Sequence, residues 1–225
     1  ALDKNGFLTS LTLILNLSRQ YPDVLMIPGT ILWYIEDAGW KYVLNTLPVV
    51  RNGQLLHIYQ KKVNSHDVDA KEEQQGWCFL TMQDDVKERV LAYSSNIFSC
   101  DNLTYGFEVC ADHGGRIGIN NYIKYCPLGL GVDFHGLTSC GSGLKPSSLF
   151  TRDKAIFFHV DHSDNGMMQC YQVKQASGLD IEQYQAEQGN LSGPLPRRIE
   201  VKVNTEVAPH CVLVKTVDVS PLAPL

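Results

Sequence analysis

The spacing of apolar positions changes along the chain, and each change predicts an element. Leu8, Leu11, Ile14 and Leu15 share one face at helical period, with Thr9 or Ser10 placed to cap and Pro22 to stop the run. The next stretch, DVLMIPGTILWYI, is dense in branched and aromatic residues around Pro28-Gly29, which predicts a buried strand, a turn and a second strand. KYVLNTLPVV and QLLHIYQKK flank Arg51-Asn52-Gly53, and Asn-Gly between two such runs predicts a hairpin. Residues 63 to 76 are polar and predict an exposed loop or lid, followed by a helix in QDDVKERVLAY with Asp84 or Asp85 near its start.

TYGFEVC predicts a strand that runs into glycines, GRIGINNYIKY a helix, and VDFHGLTSCGSG a strand ending in Ser and Gly. AIFFHVDHS, RIEVKVN and HCVLVKTVDV predict further strands, and residues 175 to 196 predict a long surface excursion. There is no internal repeat, and the mixture of helices with strands argues for an α/β or α+β chain.

Composition narrows the function classes. With 225 residues, 44% of them hydrophobic and 19% charged, the chain can bury one sizeable core, and a single domain over residues 1 to 225 is expected. The formal charge of −5 offers no broad basic surface, so a nucleic-acid partner is not expected. The apolar run from Leu11 to Leu17 is broken by Thr12 and Asn16 and is too short for a bilayer, so no membrane partner is expected either. Seven cysteines at irregular spacing suit reduced thiols, and a cytoplasmic location is the expectation.

Three features carry chemistry. Cys110 closes an apolar strand and is followed by Asp112, His113, Gly114 and Gly115; it is either a core thiol or a nucleophile at a strand end, where glycines let a substrate approach. Tyr59-Gln60-Lys61-Lys62 closes the hairpin, and strand parity puts Tyr59 and Lys61 on one face with Lys62 on the other. Cys110-x-x-His113 and His159-x-x-His162 are each half of a zinc-like pattern without an obvious partner beyond Cys170, so no metal is expected.

Read together, these segments resemble the nitrilase superfamily of carbon–nitrogen hydrolases. The resemblance rests on Asn45-Thr46 leading through Asn52-Gly53 to Tyr59-Gln60-Lys61, and on Gly106-Phe107-Glu108-Val109-Cys110-Ala111-Asp112, with IPGT before them and VDFHGLTSCGSG after. It implies an αββα sandwich, two sheets flanked by helices, with the family's first strand–helix unit expected to be missing from these residues. It also implies that Cys110 attacks an amide or nitrile carbon to form a thioester-type acyl-enzyme, with Lys61 stabilising the oxyanion. Cys-x-Asp favours an amide over a nitrile. Asp112, His113 and Cys140 are the candidate substrate-contacting positions, no cofactor is implied, and a homodimer acting on a small-molecule amide is the expected assembly.

Two departures accompany the resemblance. The family's general-base Glu, following a Pro ahead of the segment matching LMIPGT, has no counterpart here, and Glu36 lies beyond IPGT. An inactive binding or regulatory module is therefore the alternative. Lys61 and Cys110 are also further apart than in the family, which places an insertion in residues 63 to 76 and the helix expected after them, where Glu72 or Glu73 is positioned for a second acid.

Overall fold

The computed structural model describes residues 1–64, 76–79, 95–125, 131–145, 148–161, 167–173, 202–203 and 215–216. The expected QDDVKERVLAY helix, most of the 63–76 loop with Glu72 and Glu73, His162 and the 175–196 excursion lie outside the described residues.

Helix α1, Lys4–Arg19, begins earlier than the apolar spacing suggests. Asp3, not Thr9 or Ser10, is the cap: its carboxylate accepts the Gly6 N–H at 2.7 Å, satisfying one of the donors a helix start leaves open. The first sheet follows, with β1 (Ile31–Asp37), β2 (Trp40–Arg51) and β3 (Gln54–Gln60) as consecutive antiparallel neighbours and β4 (Trp77–Phe79) parallel to β2. Asn52 at φ 47 and Gly53 at φ 73 both take positive φ, as the tight β2–β3 turn requires. The strand expected before Pro28 is reduced to a bridge between Met26 and Val50.

The second sheet runs β5–β6–β7–β8–β9. It comprises β5 (Ile97–Cys100), β6 (Leu103–Val109), β7 (Val132–Ser139), β8 (Thr151–Asp161) and β9 (Met167–Gln172). The central β6, β7 and β8 are parallel, and the two edge strands are antiparallel. Between β6 and β7 lie the single-turn helix α2 (Ala111–Gly114) and helix α3 (Ile117–Tyr125). A short separate pair, β10 (Lys202–Val203) with β11 (Lys215–Thr216), completes the described elements.

Alternation along the strands explains the layering. Leu47, Val49 and Tyr59 of the first sheet pack with Tyr105, Phe107, Val109 and Cys110 of the second, so the sheets meet face to face. On the outer face of the first sheet, Phe7 and Leu11 of α1 pack on Trp33 and Leu44. On the outer side of the second, Ile119 and Tyr122 of α3 pack with Val132 and Phe150. Two sheets flanked by helices is the α/β arrangement expected from the sequence. No helix among the described residues is long and apolar enough to cross a membrane.

Candidate active site

Parallel strands end together, and an open α/β sheet binds ligands beyond their carboxyl ends. Cys110 sits there, one residue past β6, the first of the three parallel strands of the second sheet. Its N–H donates to Thr138 O at 2.8 Å, which keeps it in register with β7, but its backbone then turns to φ 51 and ψ −108. A side chain with a Cβ rarely occupies that region, and such strain persists only where surrounding contacts impose it. The turn sends Cys110 into the inter-sheet cluster with Val109, Tyr59 and Leu47. Its Sγ lies 4.0 Å from Cys140 O, and its carbonyl accepts from His113 N at 3.1 Å and Ser142 Oγ at 3.4 Å.

Lys61 follows β3 and is fully buried. Its N–H donates to Asn45 O at 2.9 Å, extending the β3 pairing by one residue, which by strand parity corresponds to the face of Tyr59. Lys62, expected on the opposite face, has its Nζ 5.6 Å from the Tyr59 ring centre, because the strand has ended and alternation no longer holds.

Asp112 joins the two segments. Its carboxylate accepts Tyr59 O–H at 2.6 Å, Val63 N–H at 2.7 Å and Lys62 N–H at 3.0 Å. The residue two past Cys110 is thereby fastened to both sides of Lys61. Burial pushes the Asp112 carboxyl up to about 6, against the downward pull of the Tyr59, Val63 and Lys62 donors. Burial, and then the neighbouring Asp112 charge, raises the Tyr59 hydroxyl well above its usual value, which keeps it a proton donor.

His113 points elsewhere. Its Nε2 accepts Lys145 N–H at 2.9 Å and its Nδ1 is 2.5 Å from Glu108 Oε2, so the ring proton belongs on Nδ1. Glu108 Oε2 also meets His135 Nε2 at 3.0 Å, and Oε1 accepts Gly118 N–H at 2.8 Å. A Cβ at Gly118 would stand 2.7 Å from Glu108 Oε1, so this approach of α3 needs glycine. Burial alone would push the Glu108 carboxyl up, but hydrogen bonds from His113 and His135 outweigh it and hold it near 2. Desolvation lowers His135, keeping a fully buried ring neutral.

Glu108, His113 and His135 present ligand atoms within 4.8 Å of one another, a spacing that suits a metal ion. The Lys145 N–H on His113 Nε2 argues for protons instead, because Nδ1 must then carry hydrogen toward Glu108. The cluster binds β6, α2, α3 and β7 together beneath Cys110.

A second polar group closes the ends of β7 and β8. Ser139 Oγ lies 2.6 Å from His159 Nε2 and bonds the Asp161 carboxylate, which also accepts Gly141 N–H at 3.0 Å.

Solved structures of the nitrilase superfamily are similar to this chain. A branch 10 member from Saccharomyces cerevisiae shares 11% identity with a TM-score of 0.45, over 73% of this chain and 57% of that one. A carbon–nitrogen hydrolase from Helicobacter pylori shares 8% with a TM-score of 0.47, over 75% and 61%. An amidase of the superfamily from Nesterenkonia shares 9% with a TM-score of 0.39, over 68% and 52%. This chain thus spans between one half and about three fifths of those proteins' lengths. No family model matches the sequence, and no curated protein matches it.

Of the candidate residues, Cys110, Asp112 and the Lys61 segment converge. Cys140 enters through its backbone carbonyl while the residue itself is exposed, and His113 is turned into the Glu108 cluster. No motif of the sequence gives His135, Ser139 or Asp161 a role, Glu108 stands in the Cys110 motif without one, and His159 stands in a zinc-like half-pattern rather than beside Ser139 and Asp161. A signal for them exists: central parallel strands read as near-continuous apolar runs, and these residues interrupt TYGFEVC, VDFHGLTS and AIFFHVD with polar side chains.

Proposed function

We propose that this protein is a cysteine-dependent hydrolase of non-peptide carbon–nitrogen bonds, with an amide as its preferred substrate. The observation that carries the reading is the junction made by Asp112. It fastens the strained turn of Cys110 to the strand end that carries a fully buried lysine. A packing thiol needs neither the strain nor the lysine.

In the proposed reaction Cys110 Sγ adds to the carbonyl carbon, and the carbonyl π electrons move to oxygen, where the Lys61 ammonium offsets the charge. Collapse of the tetrahedral species breaks the carbon–nitrogen bond, and the proton given up by the thiol ends on the leaving nitrogen. Water then adds to the thioester carbon and releases a carboxylic acid and the free thiol. Asp112 holds the lysine segment in place through Lys62 and Val63, and its contacts are to protein donors.

The test is ammonia release from a panel of small primary amides by the full-length protein and by its Cys110→Ser variant. Turnover that disappears in the variant is expected. No turnover from any amide, or turnover that survives the substitution, would overturn the reading, and the first result favours a binding module.

A further inference from the structure

The turn after β7 is held from two sides. Ser139 pairs with Asp161 across β7 and β8, and the chain then bends through Cys140, Gly141 at φ 85 and Ser142. On one side, Gly141 N–H donates to both Asp161 oxygens at 3.0 and 3.1 Å, and Ser139 Oγ reaches Asp161, His159 Nε2 and Ser142 O. Ser139, His159 and Asp161 are all buried, at 7%, 3% and 3% exposure. On the other side the turn meets the proposed nucleophile, with Cys140 O 4.0 Å from Sγ and Ser142 Oγ 3.4 Å from Cys110 O.

The three side chains do not form a nucleophilic relay. A relay needs the carboxylate on the imidazole nitrogen remote from the serine, whereas Asp161 Oδ2 lies 3.5 Å from the same Nε2 that faces Ser139. Nor do they face the thiol. Register pairs Leu137 with Glu108 and with His159, so parity puts Ser139, His159 and Asp161 on the helix-covered face, opposite Val109 and the inter-sheet cluster that includes Cys110.

We propose that Ser139, His159 and Asp161 are positioning residues that latch the Cys140–Ser142 turn against Cys110. The latch rests on Cys110 being the nucleophile only for its effect on turnover; its effect on access to the thiol stands independently. Cys110 is 9% exposed with the turn in place. Releasing the turn uncovers the sulfur while removing the framework that orients it, so thiol access rises as turnover falls.

The experiment measures iodoacetamide labelling of Cys110 relative to Cys78 by peptide mass spectrometry. Cys78 lies on the first sheet and reports general loosening. Asp161→Asn places an amide N–H₂ among the donors, Ser139→Ala removes the hydroxyl, and Ser139→Thr restores it. Losing one hydrogen bond shifts a local opening equilibrium by about tenfold. The Cys110-to-Cys78 ratio is therefore expected to rise about tenfold in Asp161→Asn and Ser139→Ala and to return toward wild type in Ser139→Thr. Variants that stay folded by circular dichroism with an unchanged ratio would overturn the latch, and Ser139→Ala decides if Asp161→Asn does not fold. Labelling needs no substrate. An unchanged ratio beside intact amide turnover defeats the latch alone, whereas absent wild-type turnover beside a raised ratio defeats only the hydrolase reading.

Discussion

Cys110 and Asp112 divide two tasks within three residues. The first takes a strained backbone that delivers a thiol, and the second spends its carboxylate on Tyr59, Lys62 and Val63. Asp112→Ala leaves one buried and two half-buried donors without their acceptor, and a loss on the order of 3 kcal/mol of stability is expected in urea unfolding. Tyr59→Phe removes one of those donors along with the bond, so it is expected to cost only about 1 kcal/mol. Lys61→Met keeps much of the buried stem but removes the charge. The proposed oxyanion role predicts a fall in kcat of about a hundredfold or more with the fold retained.

At the scale of elements, Glu108 is the buried charge that joins β6 to α2, α3 and β7. Its carboxyl is held near 2 from an ordinary value of 4.5. A depressed carboxyl stabilises the fold above its unfolded value, and that contribution is lost as pH falls from about 4.5 toward 2. Glu108→Gln has no such proton to gain. The stability gap between wild type and variant, followed by urea unfolding across that range, is expected to narrow on the order of 3 kcal/mol; a gap independent of pH would contradict the assigned charge. Asp112 works the other way, since its carboxyl is raised from 3.8 to about 6 and its penalty is lifted as pH falls through that window.

The elements themselves were largely legible. The Asn52-Gly53 hairpin and the strands ending at Val109 and Ser139 declare themselves through local chemistry and apolar alternation. The α1 cap did not, because Asp3 lies ahead of the first apolar-periodic residue. Cys110 and Lys61 were visible through motif spacing, but the buried polar clusters were not. Glu108 meets His135 across 27 positions and Ser139 meets Asp161 across 22, and only the order and register of the second sheet bring such pairs together.

For the whole molecule, the proposed site is a property of the sandwich. The thiol comes from the end of β6 in one sheet and the lysine segment from the end of β3 in the other, and the Leu47–Tyr59–Phe107–Val109 packing sets their separation. Phe107→Ala is expected to cost about 3–5 kcal/mol and to depress turnover further than its residual folded fraction explains, as paired unfolding and kinetic measurements would show. The central claim is that Cys110 carries the acyl group between two half-reactions. Acid-quenching the full-length protein during turnover of a primary amide, followed by peptide mass spectrometry, tests it most directly. The account predicts the substrate's acyl mass on the Cys110 peptide in wild type and its loss in Cys110→Ser; turnover with the acyl group on another residue, or with none bound at any time, would contradict it.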